Sequence, residues 1–183
     1  MTTSVTHVES ANEEREVLRY AVGKSTLGCV LVASSDKGIA AILIGDSPSV
    51  LAEELRSGFP SALLRSRRDD GLVNRVVTLI EEPSVTFDLP LDVRGTPFQQ
   101  KVWTALRKIP VGVTTTYSDL AARIGDPKAV RAVASACASN KLAVAIPCHR
   151  VLRSDGSLSG YRWGVQRKRS LIEREAASVR DQD

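Results

Sequence analysis

The chain has 183 residues, 43% of them hydrophobic and 25% charged, a make-up that gives one large domain or two small ones a core and excludes a fibrous or disordered protein. No run of about 18 apolar residues is present, so no membrane span is expected. Met1–Glu16 lacks the basic start and apolar stretch of a secretory signal, so a cytoplasmic location is expected.

Three cysteines (Cys29, Cys137, Cys148) and two histidines (His7, His149) are too scattered for a disulfide framework or a structural zinc site. Free thiols, no metal and no cofactor are expected. The net charge of +4 hides an asymmetry: Arg94 to Arg169 carries 14 Lys and Arg against Asp119, Asp126 and Asp155. Such a surplus marks either a solvated basic face or a polyanion partner, and its concentration favours nucleic acid.

In chain order, residues 1–16 read as a flexible tail. Leu27–Ala33 and Ile39–Ile44 are apolar runs that predict a hairpin with Gly38 near its turn, and Cys29 within the first is a buried small hydrophobe. Ser49–Gly58 and Gly71–Glu82 have helical spacing, Ser57–Asp70 between them reads as a loop, and Val85–Leu89 reads as a strand after Pro83. Residues 17–92 therefore predict a small α/β unit without chemistry of its own.

The second unit, 93–178, opens with Thr96-Pro97-Phe98-Gln99, a capping box with proline at the first helical position. The apolar stripe from Phe98 through Val102, Ala105, Leu106 and Ile109 predicts a helix that Pro110 and Gly112 stop. Ser118 can cap a short helix Asp119–Ile124 that ends at Gly125, and Asp126-Pro127 can launch Lys128–Ser139. Together these make a helix-turn-helix. The second helix is thin, with Ala129, Ala132, Ala134, Ala136 and Ala138, and carries Lys128 and Arg131. It suits either close approach to a phosphate backbone or tight packing in a core.

Leu142–Ile146 reads as a strand leading to Pro147-Cys148-His149. Pro147 stiffens the backbone before the thiol. The thiolate is the reactive form, so its pKa of about 8.5 must fall or a base must stand nearby. His149 is the imidazole available, although neighbours on a strand point opposite ways. Either the chain turns there or a water bridges the two groups. Glu175, on a last helix from about Val165, sits beside the stripe of Leu171 and Ile172 with no Lys or Arg at helical neighbour positions, and is the candidate to orient the histidine.

Ile146–Val151 (IPCHRV) resembles the signature of the O6-alkylguanine-DNA alkyltransferases, or methylated-DNA–protein-cysteine methyltransferases. Arg94–Gln100, Lys128–Val133 and Ser157–Gly164 look like the same family, so the likeness runs from about Asp92 through Ala177 and is especially close to the C-terminal repair domain of the bacterial Ada proteins. The resemblance implies a ribonuclease-H-like fold for 17–92 and a winged-helix-like unit with the helix-turn-helix for 93–178, an α/β (α+β) protein.

By that resemblance Cys148 accepts the alkyl group, His149 is a water-mediated base, Glu175 orients it, Tyr117 donates toward the guanine ring, and Asn140 is a hinge. Arg131 fills the gap left by a flipped nucleotide, with Lys128, Ala129 and Ala132 on the same DNA-facing helix. Pro147, Val151, Tyr161, Arg162 and Trp163 join Tyr117 in the alkylguanine pocket. Trp163, where some relatives have small residues, implies a tight pocket that takes methyl well and benzyl poorly. The implied partner is double-stranded DNA holding alkylated guanine, met by a monomer in a single turnover. No counterpart of the Ada cysteine-rich zinc domain is present, so repair without transcriptional activation is expected.

Three rivals fit fewer features. A helix-turn-helix regulator leaves Cys148 and Glu175 unexplained, a cysteine hydrolase lacks an oxyanion-hole glycine cluster, and a non-enzymatic damage sensor of this fold has the cysteine replaced.

Overall fold

The computed structural model describes residues 15–68 and 71–180. Residues 1–14 of the expected tail, His7 among them, lie outside that range. Glu16 is held in place: its carboxylate pairs with Arg94 and its carbonyl accepts from the Leu63 amide at 2.8 Å.

The expected hairpin is β2 (Gly28–Ser35) and β3 (Gly38–Gly45), paired antiparallel. Gly38 has φ +142°, and a Cβ there would stand 2.4 Å from the Pro90 carbonyl oxygen, so only glycine lets the two segments meet. Two further strands complete a four-stranded sheet of order β3-β2-β1-β4: β1 (Val17–Ser25), antiparallel to β2, and β4 (Leu63–Ser66), parallel to β1. β1 alternates poorly because Arg19, Gly23 and Lys24 interrupt it, and β4 is a short, largely exposed edge inside the expected loop.

α1 (Pro48–Gly58) and α2 (Leu72–Glu81) fall where their periodicity puts them and pack on the sheet. Val85–Leu89 is not a strand. Pro90 has no amide to give, so pairing with β3 starts only around Leu91, through Ile39 N–H to Pro90 O (2.9 Å) and Asp92 N–H to Ile39 O (2.8 Å).

In the second half, α3 (Pro97–Leu106) starts on the expected capping box, Thr96 Oγ1 accepting from Gln99 N and Gln99 Oε1 from Thr96 N. α4 (Tyr117–Arg123) begins earlier than expected, because Thr116 rather than Ser118 caps it by accepting from Asp119 N at 3.1 Å. α5 (Val130–Ala138) begins later, because Asp126 closes a turn with Ala129 (3.0 Å) instead of capping the helix. α6 (Val165–Arg180) is as expected.

Leu142–Ile146 is a tight turn, not a strand. Only Leu142 pairs, with Ile42 on the outer edge of β3, and Val144 takes φ +59°, an uncommon conformation for a β-branched residue. The result is an α+β molecule with one continuous apolar core shared by the sheet and the helices. Arg167 Nε to Leu27 O (2.7 Å) and Arg174 Nη1 to Ile80 O (2.6 Å) fasten α6 to the sheet half. No helix among the described residues is long and apolar enough to cross a membrane.

Candidate active site

A two-strand parallel pair, β5 (Thr115–Thr116) with β6 (Val151–Leu152), brings the start of α4 beside the cysteine segment. Cys148 opens a 3₁₀ turn, Cys148–Arg150, and is 4% exposed. Its Sγ accepts from Asn140 Nδ2 at 3.2 Å. Asn140 also donates to Ile146 O (2.9 Å) and accepts from Leu142 N (2.8 Å), so one buried amide ties the end of α5 to the cysteine.

The turn presents His149 to α6. Its Nε2 stands 2.6 Å from Glu175 Oε1. Arg150 reaches the same carboxylate with Nε (2.8 Å) and Nη2 (2.9 Å), and Gly112 N–H adds a contact at 3.2 Å. An ionised carboxylate only accepts, so Nε2 carries the hydrogen and Nδ1 of the neutral ring is a bare lone pair. Burial would raise the Glu175 carboxyl, but hydrogen bonds from His149 and Arg150 outweigh it and hold it at about 2. Arg150 keeps Glu175 ionised whichever state the imidazole takes.

Burial lowers the His149 pKa against the pull of Glu175, so the ring is a free base at neutral pH. Burial also raises the Cys148 thiol, opposed by the Asn140 hydrogen bond and the Lys168 charge. A thiol in this state needs a base to become a nucleophile. Among the described residues its hydrogen-bond partner is Asn140 and not His149, and His149 Nδ1 is buried without a protein partner.

Cys148 lies on a cavity of about 550 Å³. One wall is Tyr117 at the first position of α4; a second is Ala134, Cys137 and Ala138 of α5; the third is the 153–162 loop with Ser159, Tyr161 and Arg162. The small residues of α5 leave the room. Tyr161 meets Trp163 edge to face at 5.3 Å, and Arg162 is anchored to Glu54 of α1 at 2.8 Å.

The 6-O-methylguanine DNA methyltransferase, DNA binding domain, family model matches residues 97–177. Over 169 residues the chain is 53% identical to the bifunctional transcriptional activator/DNA repair enzyme Ada of Escherichia coli, covering 89% of this chain and 47% of that protein. The chain thus spans about half the length of the first curated relatives it matches. It is also 38% identical over 156 residues to the inducible methylated-DNA–protein-cysteine methyltransferase of Bacillus subtilis, covering 83% of this chain and 87% of that protein. The chain belongs to the methylated-DNA–protein-cysteine methyltransferase family. The crystal structure of Mycobacterium tuberculosis OGT in complex with DNA superposes with a TM-score of 0.73 at 33% identity, covering 88% of this chain and 94% of that one.

Within this family member the residues singled out from sequence fall into four groups. Cys148 and Asn140 form one buried hydrogen-bonded pair and His149 and Glu175 another, adjacent through the Cys148–His149 peptide, and Tyr117, Tyr161 and Arg162 share the cavity with the thiol. Lys128, Arg131 and Ala132 are exposed at the start of α5 and Ala129 is half-buried. Val133, Ala136 and Cys137 of the same helix face the core, where Ala136 O accepts from Trp103 Nε1 at 2.9 Å. The thin helix is thus both packed and presented.

Pro147, Val151 and Trp163 do not line the cavity. Pro147 is buried behind the thiol's turn, Val151 turns its carbonyl to Lys168, and Trp163 backs Tyr161 from the second layer. The tight pocket expected from Trp163 therefore has no direct wall at that residue.

Sequence reasoning missed Arg150, Ser159, Cys137 and Lys168. Lys168 sits between Arg167 and Arg169 and reads as surface charge. Only its helical spacing, three residues before Leu171 and seven before Glu175, places it on the buried stripe.

Proposed function

We propose that the protein repairs DNA by transferring an alkyl group from O6-alkylguanine to Cys148, irreversibly and once per molecule. The observation that carries this reading is a buried thiol opening onto a base-sized cavity with an ionised carboxylate and a neutral imidazole behind it. His149 Nδ1 takes the thiol proton through a bridging water. Sγ attacks the alkyl carbon, the C–O6 bond breaks, and its electron pair stays on guanine. Tyr117 donates to the departing ring, where negative charge develops. The S-alkyl product is a thioether without a good leaving group, so turnover ends there.

A stacked base must leave the duplex to reach Cys148, at a cost of a few kcal/mol, roughly. Arg131, exposed on α5, fills its place, and Lys128, Ala129 and Ala132 lie against the backbone. The tight Gly125 turn between α4 and α5 supports a helix-turn-helix within a winged-helix-like unit of 93–178, and the four-stranded sheet with its two helices supports a ribonuclease-H-like unit of 17–92. We take the working form as a monomer in a reducing compartment, which suits three free cysteines.

Incubation with a duplex holding one O6-methylguanine, followed by weighing of the intact protein, tests this. A mass gain of one methyl group, absent in Cys148→Ala, is the expected result. Multiple turnover, or binding without a mass change, overturns it and favours the hydrolase or the damage-sensor reading.

A further inference from the structure

Lys168 is fully buried (0% exposed) and has no carboxylate partner among the described residues. An ammonium in such a place is costly, and a methionine would fill the volume without that cost. Its Nζ donates to Val151 O at 2.6 Å and to Ser159 Oγ at 2.9 Å, and lies 6.0 Å from the centre of the Tyr117 ring. Ser159 is itself buried, and its Oγ is 2.6 Å from Tyr117 Oη.

The hydrogens in this chain can be assigned by counting donors. Lys168 Nζ has only hydrogens to give, so Ser159 Oγ accepts from it. Ser159 keeps one hydrogen of its own, and Tyr117 Oη is the acceptor it has among the described residues. With the opposite polarity the serine hydrogen has no protein acceptor among the described residues, whereas donation to Tyr117 satisfies it. Ser159 therefore donates to Tyr117, and the phenolic hydrogen of Tyr117 is left for the cavity that Tyr117 lines.

We propose that Lys168 and Ser159 are positioning residues that aim the Tyr117 hydroxyl at the base held against Cys148 and replenish its proton as that base leaves. The inference rests on the alkyl-transfer reading. When the C–O6 bond breaks, the electron pair remains on guanine and the Tyr117 proton moves to the ring. Tyr117 takes the Ser159 proton, and Ser159 takes one from the Lys168 ammonium. Guanine departs neutral and Lys168 is left as a neutral amine. The thiol proton meanwhile rests on His149, so charge is conserved until solvent restores both groups. Burial lowers the Lys168 pKa, which eases release of that proton.

The test compares two methyl donors. From an O6-methylguanine duplex, single-turnover transfer to Ser159→Ala should be slower by at least about tenfold. Duplex affinity, measured in a Cys148→Ala background, should be unchanged. Ser159→Thr keeps a hydroxyl and should recover most of the rate, and Lys168→Met should share the deficit. Iodomethane is a general methyl donor to thiolates whose leaving iodide needs no proton, so Cys148 of Ser159→Ala should react with it as fast as Cys148 of the unaltered protein does. Equal slowing with both donors would place the effect on the thiol or the fold and overturn the relay, as would an undiminished duplex rate. If the unaltered protein takes methyl from iodomethane but never from the duplex, the repair reading itself falls, and the relay with it.

Discussion

The two halves of the molecule bury different things. Among the described residues, the sheet half buries apolar side chains only. All seven buried polar side chains (Thr115, Asn140, His149, Arg150, Ser159, Lys168 and Glu175) belong to the second half. Hydrophobic burial is favourable without directional demands, whereas each buried polar group must find a partner or be penalised. The sheet half therefore supplies stability and a firm edge, and the second half holds hydrogen-bonded polar side chains close to the thiol, with the Thr115 hydroxyl unpaired among the described residues.

Four measurements would break or sharpen this contrast. The largest effect should come from Glu175→Ala, which strands Arg150 and frees His149. Stability in urea should fall by about 3–5 kcal/mol, and single-turnover transfer should slow by about a hundredfold. Leu31→Ala in the sheet should also cost about 2–5 kcal/mol, yet leave the transfer rate per folded molecule within about twofold, by the independence expected of distant sites. If Leu31→Ala slows transfer as much as Glu175→Ala does, the division of labour is wrong.

Acid should act on the second half first. Glu175 is held at about 2, below its ordinary 4.5, so the unfolded chain takes the proton more readily. Its stabilisation is complete above pH 4.5 and is lost as pH falls toward 2, for a total of about 3 kcal/mol. His149, whose pKa is lowered from 6.5, adds in the same direction as pH drops below that value. Urea midpoints across this range should trace the loss, and Glu175→Ala should flatten the limb between 4.5 and 2. The smallest effect on the fold should come from exposed Arg131. Arg131→Ala should leave stability within about 0.5 kcal/mol while slowing transfer from duplex about tenfold, or about 1.4 kcal/mol. Transfer from the free methylated base should be unaffected.

Features coded by a few adjacent residues were legible in the sequence. The Thr96–Gln99 capping box, the β2–β3 hairpin and the amphipathic α1 and α2 stand where their residues put them. Features decided by distant partners were not. β1 and β4 are strands because a neighbour completes them. Leu142–Ile146 looks like a strand but is a turn, because only Leu142 meets β3. In the site, Cys148 and His149 are conspicuous as scarce residue types, and Glu175 is conspicuous as an acid on an apolar stripe. Lys168 and Arg150 were hidden because the chain is rich in cations, and only burial separates a structural or chemical cation from a solvated one.

α6 has a consequence for the order of events in synthesis. Glu175 meets Gly112 across 63 residues, and both Glu175 and Lys168 emerge after every other residue of the site has been made. Until α6 docks, Cys148 has no oriented base behind it and Tyr117 has no donor chain. A nascent chain therefore carries an exposed thiol of ordinary reactivity, and burial of that thiol beside an oriented imidazole comes only when the last helix closes the fold.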